Sequence, residues 1–340
     1  LVPSVLNMLG IEKPSYMQGQ AFLGQQPEAP REYIYLERSR ADDLFEMSRG
    51  ITDGRYLYVR NYMPYLPYIR SGSIQADAHD KIVYSALRRA HDAQTLPEAG
   101  EKLFHPKPVE ELYDWSADPY EVNNLANDAA LAAQKSKMSG LLAGWQVRTR
   151  DLGLLPEAEY MIRGEASSPY EMAQDPKQFD AEATLASAHT VGSQDEAAIL
   201  ANLARPDGGV AYWAVIATRS LKSPSPEVGK ALLGALAHPS PSVQIAAAEA
   251  LCDLGHSREA LPVLQKWVAD PRPWVALQAA RSAVEIGAAV APIVGELLKV
   301  QQTYLNVSPN APRKYKDFNY SSFIGWALEQ AIKNGGGQPL

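Results

Sequence analysis

A single cysteine, Cys252, occurs in 340 residues. Its solitude excludes an internal disulfide framework and a zinc cluster built of thiolates. The neighbours of Cys252 are Ala250, Leu251, Asp253 and Leu254, an apolar helical stretch that favours a packed thiol over a reactive one. Long apolar runs are also missing, since none reaches the roughly 18 residues of a membrane span. Basic charge is short: 32 Lys and Arg stand against 39 Asp and Glu, for a net charge of −7. That balance supplies no face for nucleic acid, and on average it repels a polyanion, which only local arginine clusters would overcome. The six histidines, His79, His91, His105, His189, His238 and His256, fall in separate segments without metal-ligand spacing. Nucleophile elbows, phosphate-cradling glycine loops and H-E-x-x-H helices are absent from the sequence.

The length predicts two domains, and composition divides them. Residues 1–150 are dense in tyrosine, proline and arginine. Residues 151–180, with Pro156, Pro169 and Pro176 among Gly and Ser, read as an irregular connector with one short helix near 157–163. Residues 181–340 are rich in alanine and leucine, with regular proline breaks. The chain starts at Leu1 on a helical pattern without a methionine or signal sequence, so the expectation is that sequence has been lost ahead of it.

In the first part, Asp53-Gly54 between alternating Tyr56, Leu57, Tyr58 and Val59 and an apolar run predicts a hairpin with a type I′ turn. Together with residues 33–36 and 111–113 this gives a small antiparallel sheet of about four strands. Leu131, Met138, Leu141, Leu142 and Trp145 recur at helical spacing behind a cap at Asn127 or Asp128, predicting a helix that covers the sheet. Residues 70–105 carry few apolar residues at any period and read as a loop.

The second part repeats itself. An offset of 32 superposes Leu232 on Leu264, Pro239 on Pro271, Pro241 on Pro273, Val243 on Val275, Ala247 on Ala279 and Gly255 on Gly287. An earlier copy aligns at 33 through Ala204, Pro206, Val210 and Ala214, and a last helix pair falls at 291–301 and 322–332. Helix, proline-marked turn and helix at that period form a solenoid, and the repeats resemble HEAT repeats. The fold class read from the sequence is therefore α+β followed by all-α.

Three segments in order carry a further resemblance. The stretch E-L-Y-D-x-x-x-D-P-x-E-x-x-N-L-A at 111–126 is similar to the C-terminal subdomain of the sulfatases, in the branch of heparan N-sulfatase (sulfamidase) and related bacterial enzymes. Residues 1–11 resemble that family's D-L-x-P-T-x-L-x-x-A-G-I helix, and Glu37-Arg-Ser-Arg-Ala-Asp-Asp43 with residues 49–64 resembles its E-R-D-R-M-D-E block and the strand after it. Ser39 and Ala41 stand where the family has Asp and Met. The resemblance covers roughly residues 1–175. It implies an enzyme that removes sulfate from sulfated carbohydrate outside the cytoplasm, periplasmic or secreted. It also implies that the formylglycine nucleophile, made from the cysteine of C-x-P-S-R, and the calcium ligands belong to a preceding α/β domain, because neither motif occurs here.

This chain is thus expected to hold no catalytic residue and no metal ligand, and to contribute pocket walls. Arg38, Arg40, Asp42 and Asp43 are the candidate substrate-binding residues: arginines one residue apart on an extended segment project to one side and present guanidinium forks to sulfate or carboxylate. A salt-bridged surface turn is the structural alternative. Arg49, Arg60 and Asn61 are weaker candidates, and the tyrosines of 62–68 either stack on sugar rings or pack their loop. The competing reading of the whole chain is a non-catalytic HEAT-repeat interaction module, holding a protein partner and carrying a relic sulfatase subdomain.

Overall fold

In the computed structural model, which describes residues 1–70, 80–306, 310, 314–317 and 319–340, the tyrosine-rich part begins with helix α1 (Val2–Met8) and a four-stranded sheet. Its strands are β1 (Ile34–Arg38), β2 (Ser48–Thr52), β3 (Tyr56–Asn61) and β4 (Glu110–Asp114), all antiparallel in chain order. Helices α2 (Asp80–Asp92) and α3 (Glu98–Glu101) lie between β3 and β4, where a loop is expected; His79 and the rest of 71–79 fall outside the described residues.

One cross-strand row explains why the sheet accepts a helix. Tyr35, Ile51, Tyr58 and Leu112 are register partners across the four strands. Because side chains alternate along a strand, this row points to one face, where Met138 and Leu142 of α4 (Ala132–Thr149) close a small core over it. Asp128 caps the entry to that helix, accepting the Ala130 N–H at 2.9 Å. The hairpin differs in detail from expectation. A type I′ turn needs positive φ at both central residues; here the central residues are Gly54 and Arg55, and Gly54 alone is positive, at 92°. The Asp53 carboxylate accepts the N–H groups of Arg55 and Tyr56 and takes over the role of the turn carbonyl.

Residues 151–180 are more ordered than an irregular connector. They form the expected α5 (Glu157–Arg163) and also α6 (Pro169–Gln174). Leu154, Leu155, Ala158, Met172 and Phe179 are buried in the same core as Met47, Tyr62 and Met63 from the first part. That core runs on into the helical repeats.

The repeats follow α7 (Ala181–Ala188) as the pairs α8 (Glu196–Leu203) and α9 (Gly208–Thr218), α10 (Pro226–Ala235) and α11 (Pro241–Asp253), α12 (Ser257–Val268) and α13 (Pro273–Glu285), α14 (Val294–Tyr304) and α15 (Tyr320–Asn334). The repeat of 32 becomes geometry at three points. Pro241 and Pro273 occupy the first positions of α11 and α13, where a missing N–H costs nothing. Val243 and Val275 are fully buried. Gly255 and Gly287 take φ of 84° and 57° just after those helices, a conformation that favours glycine. The second helix of each pair is the buried one: every residue of α9 is buried, and α11 packs on both α9 and α13.

Candidate functional site

The loop of residues 39–47, between β1 and β2, carries the candidate block to the seam between the sheet part and the repeats. There the four candidates separate. Arg38 ends β1 with its side chain exposed, while its carbonyl accepts the Arg49 guanidinium at 2.9 Å. Arg40 is half-buried. It grips both carboxylate oxygens of Glu157 on α5 and the carbonyl of Asp42, and its guanidinium lies 5.7 Å from the ring centre of Tyr320 and 5.6 Å from that of Phe323, both on α15. Asp42 adopts a φ of 49°, which turns the chain inward. Asp43 follows it into the interior and pairs with Arg281 of α13 at 3.1 Å, both side chains almost fully buried. The structure therefore brings Arg40, Asp42 and Asp43 against α5, α13 and α15, and leaves Arg38 apart at the surface.

Beneath this loop lies a cleft of about 320 Å³ whose walls include Arg40, Glu46, Met63, Glu157, Tyr160 and Trp213. Its charged groups and the Trp213 indole are already engaged. Tyr320 donates its hydroxyl to Glu157, so that carboxylate serves a guanidinium and a phenol at once. Glu46 pairs with Lys107 at 2.5 Å with both side chains buried, and burial holds the Lys107 ammonium below its ordinary range despite that partner. Trp213 donates its indole N–H to the Leu154 carbonyl at 2.7 Å. An anion entering the cleft meets a guanidinium whose charge Glu157 has neutralised. The arrangement suits a fixed wall better than an anion trap.

Deeper in the seam is a charge network that sequence reasoning did not single out. Arg281 binds Glu285 as well as Asp43; Arg70 reaches Glu285 at 3.2 Å; Arg219 pairs with Glu249 and, at 2.8 Å, with Asp253. The Tyr65 ring centre lies 3.8 Å from the Arg219 guanidinium. Burial by itself raises a carboxyl, yet Arg281 and Arg70 outweigh it at Glu285 and hold that group below its ordinary value. At Glu249 burial wins and the carboxyl is raised, although Arg219 and the Ser282 hydroxyl, 2.6 Å away, oppose it. A signal for two of these residues was present: Glu249 and Arg281 are charges inside alanine-rich helices, and their separation, 281 − 249 = 32, is the repeat length.

The weaker candidates are structural. Arg49 makes a two-pronged bond to Asp151 at 2.8 and 2.9 Å in a nearly closed interior. Gly153 is required beside it, because a Cβ there would lie 1.7 Å from an Arg49 nitrogen. Arg60 donates to the Val191 carbonyl and Asn61 to that of Pro108. Among the tyrosines, Tyr62 is fully buried with its hydroxyl on Gln146, burial pushing it up to about 12; Tyr68 donates to Glu111. These rings pack their loop. The E-L-Y-D…N-L-A stretch likewise stitches the fold: Glu111 accepts from Asn61, Tyr68 and Tyr113, and Asn124 binds the backbone of Glu110, Leu112 and Ala126.

Among the described residues no group of three or more His, Cys, Asp and Glu side chains is placed to hold a metal ion, and no helix is long and apolar enough to cross a membrane. Cys252, whose thiol burial pushes up, has no C-x-P-S-R setting.

Comparison with known proteins finds two kinds of similarity. The HEAT repeats family model matches residues 196–285 and 229–303. Two proteins of Formosa agariphila, each an ulvan-active sulfatase, are similar to this chain: one is 32% identical over 178 residues, 52% of the chain, and the other 28% identical over 160 residues, 45% of the chain. Each alignment covers 29% of the relative's own length. The chain thus combines a region of partial homology to ulvan-active sulfatase with a set of HEAT repeats.

Proposed function

We propose that this chain works as the C-terminal part of a sulfatase that removes sulfate esters or N-sulfate groups from sulfated carbohydrate, periplasmic or secreted. The observation that carries the reading is the 32% identity to an ulvan-active sulfatase over about half of the chain. In this reading the sheet, α4 and the loop of 39–47 form a wall beside the sulfate pocket, with Arg38 as the side chain best exposed to substrate. The nucleophile and calcium belong to residues outside this chain, and no catalytic step runs through the residues described above. The role of the repeats is to brace that wall, since Ser240 at the start of α11, Arg281 of α13 and Tyr320 of α15 are engaged by the chain's own Glu159, Asp43 and Arg40. That engagement favours bracing over the alternative of a free interaction module.

The test is sulfate release from ulvan, followed by ion chromatography. The isolated chain should release none, with or without calcium. A gene product that joins it to an upstream C-x-P-S-R domain should release sulfate, and Arg38→Gln should raise KM with little change in kcat. Turnover by the isolated chain that survives repurification would sink the reading, as would an inactive gene product lacking any such upstream motif.

A further inference from the structure

A second groove, sharing no lining residue with the seam cleft, lies where β1, the end of α4 and α6 meet the segment after α1. Its volume is about 540 Å³, within the range of small-molecule sites. Tyr16, Tyr33, Tyr35, Trp145 and Tyr170 line it. Tyr35 and Trp145 are stacked in parallel, centres 4.8 Å apart and planes 6° apart, while Tyr16 and Tyr170 are 60% and 52% exposed. Rings gathered at a surface are unfavourable to leave in water, and rings that carry a polar tip suit a ligand with both apolar and hydroxyl faces.

The charge of the groove is opposite to that of the chain. Arg31 and Arg148 line it against one carboxylate, Glu32, and Lys137 sits 5.5 Å from the Tyr33 ring centre. Arg31 is oriented in advance: its Nε donates to Gln20 at 2.7 Å and one terminal nitrogen to the Gln18 carbonyl at 2.6 Å. Gln18, Thr149 and Gln174 add neutral donors and acceptors. Aromatic faces for the C–H side of a pyranose, amides for its hydroxyls, and the oriented Arg31 guanidinium with Arg148 beside it for an anionic substituent converge in one place.

We propose that this groove is an accessory binding site for an anionic saccharide, holding a sulfated or uronate-bearing stretch of polysaccharide on side chains that the seam cleft does not use. The inference rests on the carbohydrate-sulfatase reading for its choice of polymer and on the groove itself for the site.

Calorimetric titration of the full chain with ulvan oligosaccharides, native and chemically desulfated, tests it. Tyr170→Ala and Arg148→Gln, both at exposed positions, should each weaken binding of the native oligosaccharides by roughly three- to tenfold. Desulfation should weaken it similarly, and raised salt should narrow the difference. Unchanged affinity in both variants, with native circular dichroism, overturns the proposal. So does absence of binding, or an equal loss toward polyvinyl sulfate, a polyanion without sugar rings. The two readings fail separately: sulfate release by the longer gene product with groove variants that bind normally removes the groove alone. Groove-dependent binding without sulfate release by that product removes the sulfatase reading alone.

Discussion

Asp43 and Arg281, 238 positions apart in sequence, meet at 3.1 Å in the interior and fasten the sheet part to the third repeat pair. A carboxylate expected at a substrate pocket is thereby a structural tie. Removing one member of a buried pair leaves the other charge exposed to a low dielectric, at about 3–5 kcal/mol. Glu285 also serves Arg281, so Asp43→Ala should fall at the lower end, about 3 kcal/mol by denaturant unfolding. In a double-mutant cycle with Arg281→Leu the two losses should be far from additive. A loss below about 0.5 kcal/mol for Asp43→Ala would mean that the tie contributes nothing.

Continuity of the core through residues 151–180 predicts one cooperative unfolding transition. Limited proteolysis should spare that segment, because Leu154, Leu155, Ala158, Met172 and Phe179 anchor it. A fragment beginning near Ala181 should be less stable than the intact chain, having lost the side chains that cover α9. Early cleavage within 151–180, leaving a resistant helical fragment, would show instead that the connector is a hinge.

Glu249 provides a pH signature. Its folded carboxyl lies above the ordinary value of 4.5, so the folded state prefers the protonated form. The stability it contributes is fully present below 4.5 and is lost as pH rises through the folded value. Glu249→Gln, which keeps an acceptor for Ser282, removes that dependence. The stability of the native chain relative to this variant should therefore decline as pH rises above 4.5. A difference that is flat, or that grows with pH, would contradict the assignment.

The exposed side chains of Val2, Val5, Met8, Leu9 and Ile11 form an apolar face on and beside α1. Faces of this kind promote association when they are contiguous. Sedimentation should detect concentration-dependent self-association, reduced by the pair Val5→Ser and Leu9→Ser. A monodisperse chain at all concentrations would show that this face is too small to matter.

The elements readable in advance were those encoded by local rules. A cap at Asn127 or Asp128 before an apolar stripe gave α4, alternation gave β3, and prolines and glycines recurring at 32 gave the helix pairs, each because caps, pleats and turns depend on neighbours in sequence. Arg49 was legible as a candidate, and its pairing with Asp151 was not. The candidate block was recognised as a motif while the partner of each member stayed hidden, since Arg40 finds Glu157 and Asp43 finds Arg281 only after the chain folds back on itself.

Sequence by itself determined the sheet, the covering helix, the period of the repeats and the sulfatase-like stretch, all properties of contiguous residues. Tertiary structure alone decided that residues 151–180 are core, that Asp43 faces Arg281, that burial prevails over Arg219 at Glu249, and that five aromatic residues from four segments share one groove. Desolvation and charge pairing depend on distances in space, and sequence separation carries no record of them.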